Sequence, residues 1–336
     1  MATRDLLIRR WVRTAVAAAA ASALAVGAAA CGDDDEEVGG GGGGAGDATA
    51  VRGAILPTAT HLPMMVAEDE GIFDEHGIDM ELTVVQNIAT VPGAMGRQFD
   101  FGSTTLPDVI KAQQQGIDVV ITTNVADETS DNAISGVFAG KDSGIEGPQD
   151  LVGKKVGVIA IGGNIHTSTL FWLIDEGVDH EQVNFIEVPP PNQLDQLNGG
   201  QIDAAENLEP FRTAITEAGH KLLVDPILEV SDPGTLLSWM SERGWAEENP
   251  ETVENVVAAI EEAGQFIEDD NSRARDILAK YSGLPPEVAA NVKLPVYNTQ
   301  IPDEQVTAWA EMLQTIGELR GAPEDVDPNQ ILAIPE

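Results

Sequence analysis

Three polar segments of this chain follow predicted strands and precede predicted helices, which is where small solutes bind in α/β proteins. They are residues 58–61 (Thr-Ala-Thr-His), 102–105 (Gly-Ser-Thr-Thr) and 162–167 (Gly-Gly-Asn-Ile-His-Thr). A helix N-terminus offers free backbone N–H groups and a partial positive charge, so together they predict a small polar or anionic pocket. Each segment alone is also typical of an ordinary helix N-cap, and this alternative stays open.

The first and third segments belong to two copies of one strand-loop-helix unit, which begin at Arg52 and Lys155. Aligning the copies places Ser103 opposite Glu206 and Thr104 opposite Asn207. The second copy therefore offers a carboxylate where the first offers a hydroxyl, and this difference would orient a solute. We expect Glu206 to pair with an amine or ring N–H of that solute, with a solvated acid at a strand end as the alternative.

The predicted solute site consists of polar residues from these segments and from the strand ends beside them. They are Thr60, His61, Ser103, Thr104, Gly163, Asn164, His166, Thr167, Glu206 and Asn207. No arginine or lysine occurs in the three segments, although a phosphate or dicarboxylate favours a bidentate arginine. The pattern therefore favours a zwitterion, a heterocycle or a monoanion held by backbone N–H groups.

Catalytic and metal chemistry find little support in the sequence. His61 and His166 do not stand at metal-ligand spacing from another histidine, and no nucleophile elbow or distinctive acid pair is recognisable. We therefore expect no catalytic residue, no metal and no cofactor. Trp172 and Trp239 could stack on a flat solute, or they could belong to the core.

The order of predicted elements is that of an α/β fold with mainly parallel sheets covered by helices. The predicted elements of the first copy are strands at 51–56, 79–85, 99–101 and 119–123 and helices at 62–70, 89–98 and 106–115. Those of the second copy are strands at 133–139, 156–160, 184–188, 202–205 and 222–224 and helices at 166–176, 193–198 and 210–218. Between the copies, residues 127–132 predict an exposed crossover.

From about Leu236 the pattern is mostly helical, with helices predicted at 250–268, 272–281 and 303–320. We expect this tail to pack on the first copy, which gives a discontinuous lobe and two crossing strands that can act as a hinge. The predicted first lobe comprises residues 51–133 and 236–336. The predicted second lobe comprises residues 134–235.

The first fifty residues predict export. Arginines precede an Ala-rich run, residues 15–30, that is short and weakly apolar for a membrane span and ends at the sole cysteine, Cys31. We expect an export signal over 1–31 with lipid on Cys31 as a membrane anchor, although Ala28 stands where a lipoprotein signal usually has a large aliphatic residue. A cleaved signal with an incidental thiol is the alternative. The Gly- and Asp-rich residues 32–50 predict a flexible tether.

Length and charge narrow the class of partner. The 336 residues suffice for two domains of ordinary size, and the formal net charge of −38 excludes a nucleic-acid or anionic-membrane surface, because phosphates would be repelled. A solvated acidic surface explains the charge, with a saline habitat as the alternative.

Several motifs between residues 51 and 226 resemble those of a known family. They lie at residues 57–63, 67–73, 99–102, 141–145, 150–156, 188–190 and 209–211. Together they resemble the periplasmic solute-binding components of ABC importers for nitrate, sulfonates, taurine and thiamine-precursor pyrimidines. The resemblance implies a two-lobed type II flytrap fold with a helical C-terminal segment, and its ligand loops fall on the predicted site residues. Leu208 stands where relatives often have an aromatic residue, which puts a stacking contact there in doubt.

The resemblance also implies a function. We expect a non-enzymatic, monomeric, extracytoplasmic protein that captures a small sulfonate, nitrate-like or pyrimidine-like solute by hinge closure and hands it to an ABC permease. A solute sensor for a signalling partner and an exported enzyme on the same scaffold are the alternatives. A fungal-type enzyme that makes the thiamine pyrimidine from its own histidine is a remote likeness, since its iron-binding segment needs cysteines that this chain lacks.

Overall fold

The computed structural model describes residues 48–85, 88 and 91–335. The predicted export signal, Cys31 and residues 32–47 of the predicted tether lie outside these residues. The last two tether residues, Thr49 and Ala50, form the start of the first strand, so the folded part begins earlier than predicted. None of the helices in the described part is long and apolar enough to span a membrane.

The strands of the described residues form two sheets. In chain order they are β1 (Thr49–Ile55), β2 (Ile78–Val84), β3 (Phe101–Thr104), β4 (Val119–Glu128), β5 (Ser135–Ala139), β6 (Lys155–Val158), β7 (Asn184–Glu187), β8 (Ala204–Leu208), β9 (Lys221–Val224), β10 (Gly234–Glu242) and β11 (Val296–Tyr297).

The helices cover these sheets. In chain order they are α1 (Leu62–Asp69), α2 (Ile72–Glu75), α3 (Leu106–Gln114), α4 (Asn164–Asp175), α5 (Pro190–Asn198), α6 (Phe211–Glu217), α7 (Arg243–Glu248), α8 (Pro250–Asp269), α9 (Asn271–Ser282), α10 (Pro286–Ala289), α11 (Asp303–Thr315) and α12 (Pro328–Ile331). Pro63, Pro107 and Pro250 stand in the first turns of α1, α3 and α8, where a missing N–H costs no helical hydrogen bond.

The two sheets share one topology. The first sheet has the order β11-β4-β10-β3-β1-β2 and the second has the order β7-β6-β8-β5-β9. Read in the same direction, β2-β1-β3-β10-β4 corresponds to β7-β6-β8-β5-β9. In each sheet the first three strands are parallel and the fourth is antiparallel to both of its neighbours. One crossing segment joins β4 of the first sheet to β5 of the second, and another joins β9 of the second sheet to β10 of the first.

Strand register supports the predicted alignment of the two copies. In the first sheet Gly53 pairs with Phe101 and Ala54 pairs with Gly102. In the second sheet Val156 pairs with Ala204, and the next residues of both strands pair in turn. The residue that follows these pairs is Ser103 in β3 and Glu206 in β8, so the two residues occupy equivalent positions.

The core explains which way the second sheet's side chains face. Successive residues of a strand point to opposite faces. Ala204 lies in one cluster with Trp172 of α4, and Ala205 lies in another with Leu197 of α5. Glu206 therefore shares the face covered by α4, and Asn207 shares the face covered by α5.

The first sheet carries the larger core. Met64 of α1, Val256 of α8 and Trp309 of α11 belong to one apolar cluster around it. Trp239 of β10 is fully buried in the same cluster, with its ring centroid 5.5 Å from that of Phe101. Trp239 and Trp172 are thus both core residues in this structure.

Two predictions about the elements are wrong. The helix predicted at 89–98 is replaced, over its described residues, by a short 3-10 turn at Pro92–Ala94 and a further turn. The crossover predicted as exposed begins with two buried residues, Asp127 and Glu128, that still belong to β4. The segment from about Leu236 is mostly helical as predicted, but it opens with the strand β10, which was not predicted and which pairs with β3 and β4. The predicted lobe boundaries remain a prediction.

Candidate functional site

The first copy contributes a continuous series of hydrogen bonds at the carboxyl ends of β1 and β3. The Ser103 hydroxyl donates to the Ala54 carbonyl oxygen at 2.8 Å, and His61 Nε2 lies 2.8 Å from Ser103 Oγ. Because the single hydroxyl proton of Ser103 goes to a carbonyl, His61 Nε2 must carry the proton that bonds Ser103. His61 Nδ1 then accepts from the Thr58 hydroxyl at 2.8 Å.

This arrangement holds His61 neutral. Burial lowers the pKa of His61 to about 3. Both ring nitrogens are bonded within the first copy, and Thr60 Oγ1 adds a contact of 3.1 Å to Nδ1. Neighbouring Thr104 is buried, with a long contact of 3.4 Å from its hydroxyl to the Thr105 carbonyl. The structure thus brings Thr60, His61 and Ser103 together, with His61 bonded to both of the others.

The second copy's loop between β6 and α4 is braced by its own side chains. Gly162 turns the chain at a φ of 80°, a left-handed conformation that favours glycine, and its N–H donates to His166 Nδ1 at 3.0 Å. The Thr167 hydroxyl bonds back to the Gly163 carbonyl at 3.0 Å. Asn164 Oδ1 accepts from the Ile165 N–H at 2.9 Å. The loop is therefore rigid around the predicted residues.

His166, near the start of α4, is a buried histidine with a lowered pKa. Burial, with a smaller effect of Lys111, lowers its pKa to about 4, so the ring is neutral at pH 7. Its Nε2 has no hydrogen-bond partner among the described residues, and its ring lies edge to face with Phe185 at 4.7 Å.

Glu206 is the most unusual residue of the site. It is fully buried, its Oε2 lies 3.1 Å from Thr169 Oγ1 on α4, and its Oε1 has no hydrogen-bond partner within the described part of the chain. Burial raises the pKa of Glu206 to about 8, against smaller lowering effects of Thr169 and the Ile159 N–H. A buried acceptor without a partner is costly, so Oε1 is available to a donor from outside the protein.

The Asn207 side chain lies against α5, away from Glu206. Its amide donates to the Pro190 carbonyl at 3.1 Å and to Gln193 Oε1 at 3.0 Å, both on α5. Its own Oδ1 accepts from the Leu208 N–H. Glu206 and Asn207 therefore face opposite sides of the second sheet, and the structure does not bring their side chains together.

Two hydrogen bonds join the first sheet's elements to the loop of the second copy. Lys111 Nζ of α3 donates to the Gly162 carbonyl at 2.8 Å, and Asn164 Nδ2 donates to the Leu236 carbonyl of β10 at 3.2 Å. Lys111 also lies near two carboxylates, Asp108 at 3.5 Å and Glu318 at 3.4 Å. The three polar segments contain no lysine or arginine, but Lys111 of α3 contacts the third segment, residues 162–167. Its position within a helix gave no sequence signal of this contact.

The last residue of β4, where the crossing to β5 begins, is another buried carboxylate that the sequence did not reveal. Glu128 accepts hydrogen bonds from the N–H groups of Ile134 and Ser135, each at 2.8 Å, and from the Ser135 hydroxyl at 2.6 Å. Burial raises its pKa. Arg212 of α6 contacts both the Ser135 carbonyl and Asp225, which begins the return crossing. These contacts tie the end of the first sheet to the start of the second.

Solved structures define the class of fold. The periplasmic aliphatic sulphonate binding protein SsuA from Escherichia coli matches with a TM-score of 0.70 at 21% identity, over 85% of this chain and 92% of that one. The periplasmic nitrate-binding protein NrtA from Synechocystis PCC 6803 matches with a TM-score of 0.67 at 13% identity, over 85% and 86%. The chain therefore has the periplasmic-binding-protein fold, as predicted.

Sequence comparison gives the family. The family model described as NMT1/THI5 like matches residues 58–274, and this chain belongs to that family. The nitrate import ATP-binding protein NrtC of Synechocystis is 24% identical over 77% of this chain. The 4-amino-5-hydroxymethyl-2-methylpyrimidine phosphate synthase THI12 of Saccharomyces cerevisiae is 32% identical over 34% of it. The matches span only 41% and 33% of these two relatives.

Proposed function

We propose that this chain is the solute-binding component of an ABC importer, which captures a small solute between its two sheets. The observation that carries the proposal is the equivalence of Ser103 and Glu206 at the strand ends of two sheets with one topology. Two joined sheets of this kind can close on a solute by rotation about their crossing segments, as other two-domain binding proteins do. The proposed solute classes are sulfonates, nitrate-like anions and pyrimidine-like heterocycles.

Binding without catalysis fits the chemistry of the first copy. His61 presents a protonated Nε2 to Ser103, and the Ser103 proton is directed to Ala54, so His61 is not poised to remove it. The serine is therefore not activated as a nucleophile. This geometry supports a receptor over a hydrolase of the serine-histidine type.

The crossing segments support movement about a defined hinge. Glu128 anchors the start of β5 through three hydrogen bonds, while Lys111 and Asn164 make single bonds across to the other sheet's elements. Single exposed or half-buried hydrogen bonds contribute about 1 kcal/mol each, so they can open while the Glu128 contacts persist.

The remaining parts of the proposal concern location and partners. The names of the structural relatives are those of periplasmic proteins. We extend this to an exported, monomeric receptor that is held at the membrane through lipid on Cys31 and delivers its solute to an ABC permease. The lobes in this proposal are residues 51–133 with 236–336, and residues 134–235. Binding at Thr60, Ser103, Gly163 and Glu206 belongs to the same proposal.

One alternative has a specific observation in its favour. THI12, a relative over 34% of this chain, is named as a synthase of a pyrimidine phosphate. An exported enzyme on this scaffold would convert a bound pyrimidine into a different compound. A sensor for a signalling partner would bind solute in the same way as a receptor, but would not support its uptake.

Thermal unfolding with a panel of solutes tests the proposal. The panel contains nitrate, ethanesulfonate, taurine, pyrimidine and 4-aminopyrimidine. A solute at 100 times its dissociation constant should add about 2.7 kcal/mol of stability, which raises the midpoint by roughly 2–4 °C. Uptake of the bound solute by vesicles that carry the permease then separates receptor from sensor. A bound compound that differs from the one added would favour the enzyme instead.

A further inference from the structure

The Thr169 hydroxyl contacts two oxygen atoms, and only one of them can receive its single proton. Thr169 Oγ1 lies 2.9 Å from the Ile165 carbonyl oxygen and 3.1 Å from Glu206 Oε2. The hydroxyl has one proton, and a carbonyl oxygen can only accept. If the proton goes to Ile165, the contact with Glu206 is a hydrogen bond only when Glu206 Oε2 carries a proton and donates it to Thr169.

The surroundings of Glu206 agree with this assignment. The side chain is fully buried, and no charged group of the described residues contributes to the shift of its pKa. An ionised carboxylate would have no ion-pair partner among the described residues, and an uncompensated buried charge is the most costly form of a buried acid. The neutral acid satisfies both contacts of the Thr169 hydroxyl and leaves a carbonyl-type oxygen, Oε1, without a donor.

The position of Oε1 connects it to the candidate site. Glu206 occupies the strand-end position equivalent to Ser103, and the Ile159 N–H that influences it begins the loop to α4. That loop carries Gly163 and Asn164 and touches the first sheet through Lys111. A solute bound at this loop would lie next to the Glu206 strand end and could supply the donor that Oε1 lacks.

We propose that Glu206 receives the solute as a neutral acid, with its proton directed to Thr169 and its Oε1 accepting an N–H or O–H from the solute. The inference rests on the proposed receptor function and narrows its solute class. The solute carries a hydrogen-bond donor: an amino-heterocycle, an amine or an amino-sulfonate such as taurine. Nitrate and ethanesulfonate present only acceptor oxygens at neutral pH and would leave Oε1 unpaired, so they are disfavoured.

Infrared spectroscopy of the ligand-free, full-length protein tests the neutral acid. At pH 7, the difference spectrum between wild type and Glu206→Gln should contain a carboxylic acid C=O band. Glu209→Gln serves as the matched control, because Glu209, directly after β8, is a buried acid bonded to Thr213, and this variant should retain the Glu206 band. A difference spectrum with carboxylate bands alone would overturn the proposal.

Matched pairs of probes test the donor requirement. The pairs are 4-aminopyrimidine with pyrimidine and taurine with ethanesulfonate, and nitrate is added as a donor-free anion. In calorimetric titrations the amino member of a pair that binds should bind at least tenfold more tightly. Glu206→Gln, which keeps a donor toward Thr169 and an acceptor at the position of Oε1, should retain this preference. Glu206→Met, which has similar length and neither group, should abolish it.

The outcomes separate the inference from the proposed function. Equal or tighter binding of nitrate, pyrimidine or ethanesulfonate would overturn the donor requirement while leaving a receptor. Loss of binding in Glu206→Gln equal to that in Glu206→Met would overturn the neutral acid. Binding of none of the five probes would overturn the solute class named here, whereas uptake by permease vesicles and the infrared band would still decide function and protonation independently.

Discussion

Ser103 and Glu206 occupy the same position in two sheets of one topology, yet their surroundings differ. Ser103 is bonded to His61 and to the Ala54 carbonyl, so its one proton and one of its two lone pairs are used within the protein. Glu206 is equally buried and has one oxygen without a partner in the described part of the chain. Two sheets of one topology thus differ at one equivalent position: Ser103 is bonded within the protein, whereas Glu206 lacks a donor that we propose the solute supplies.

The largest expected effect concerns pH and Glu206. Its folded pKa of about 8 lies above the ordinary value of 4.5, so its proton stabilises the fold fully below pH 4.5, and this contribution is lost as pH rises through 8. Glu206→Gln does not titrate there. The free energy of unfolding of this variant, relative to that of the wild type, should therefore rise between pH 4.5 and pH 8. Because one pKa unit corresponds to about 1.36 kcal/mol, the expected rise is about 3–5 kcal/mol. Urea unfolding at several pH values measures this difference.

The matched control for this experiment is Ser103→Ala, at the equivalent position of the first copy. Serine does not titrate. His61, with a folded pKa of about 3, is neutral in the folded protein across the window, so its effect on stability is the same in both proteins and cancels in the difference. The stability difference between this variant and wild type should stay constant from pH 4.5 to pH 8. A flat profile for Glu206→Gln as well would contradict the contrast between the two positions.

A smaller effect is expected from Ser103→Ala itself. The substitution removes the acceptor for the His61 Nε2–H and leaves that N–H buried without a partner, whereas Ala54 keeps its place in the strand ladder with Gly102. Unsatisfied buried groups cost about 1–3 kcal/mol each, although a water molecule in the space left by the hydroxyl would reduce this. Urea unfolding at pH 7 should show a loss of about 1–3 kcal/mol. A loss below about 0.5 kcal/mol is typical of a surface substitution, and would show that the hydrogen bonds of Ser103 contribute little to the stability of the first copy.

The smallest effect concerns the contact between the two halves. Lys111→Met keeps the apolar stem of the side chain but removes the hydrogen bond to the Gly162 carbonyl. Because half-exposed bonds of this kind contribute about 1 kcal/mol, stability should fall by no more than that. The population of open molecules should nevertheless increase, and small-angle scattering of the ligand-free protein should give a larger radius of gyration. An unchanged radius would show that Lys111 does not hold the halves together.

Local patterns account for what the sequence predicted well. The alternation of strands and helices and the equivalence of Ser103 with Glu206 depend on short strand-loop-helix units, which one stretch of chain encodes. The strand β10 was missed because its partners, β3 and β4, lie more than a hundred residues earlier in the chain. Burial of Glu128 was missed for a similar reason, since its polar residue type predicts exposure until Ser135 is seen to satisfy it.

Among the site residues, too, local patterns were predictable and contacts between distant segments were not. Helix-start patterns grouped Thr60, His61 and Ser103 in advance, but did not reveal that their hydrogen bonds are mutual. Side-chain direction separated Glu206 from Asn207, because adjacent strand residues face opposite sides of a sheet. Lys111 reaches the loop from a helix, and only packing of α3 near α4 places it there. Contacts between distant segments are therefore what the sequence pattern lacked.

The distance between the two halves with and without solute tests the central proposal most directly. Spin labels at Asp79→Cys on β2 and Glu181→Cys before β7, in a Cys31→Ser background, report from exposed positions on the outer strand of one sheet and beside that of the other. Capture by hinge closure predicts that 4-aminopyrimidine or taurine, whichever binds, shifts the measured distances to one narrow distribution. A solute that raises the unfolding temperature while leaving the distances unchanged would contradict capture between the sheets.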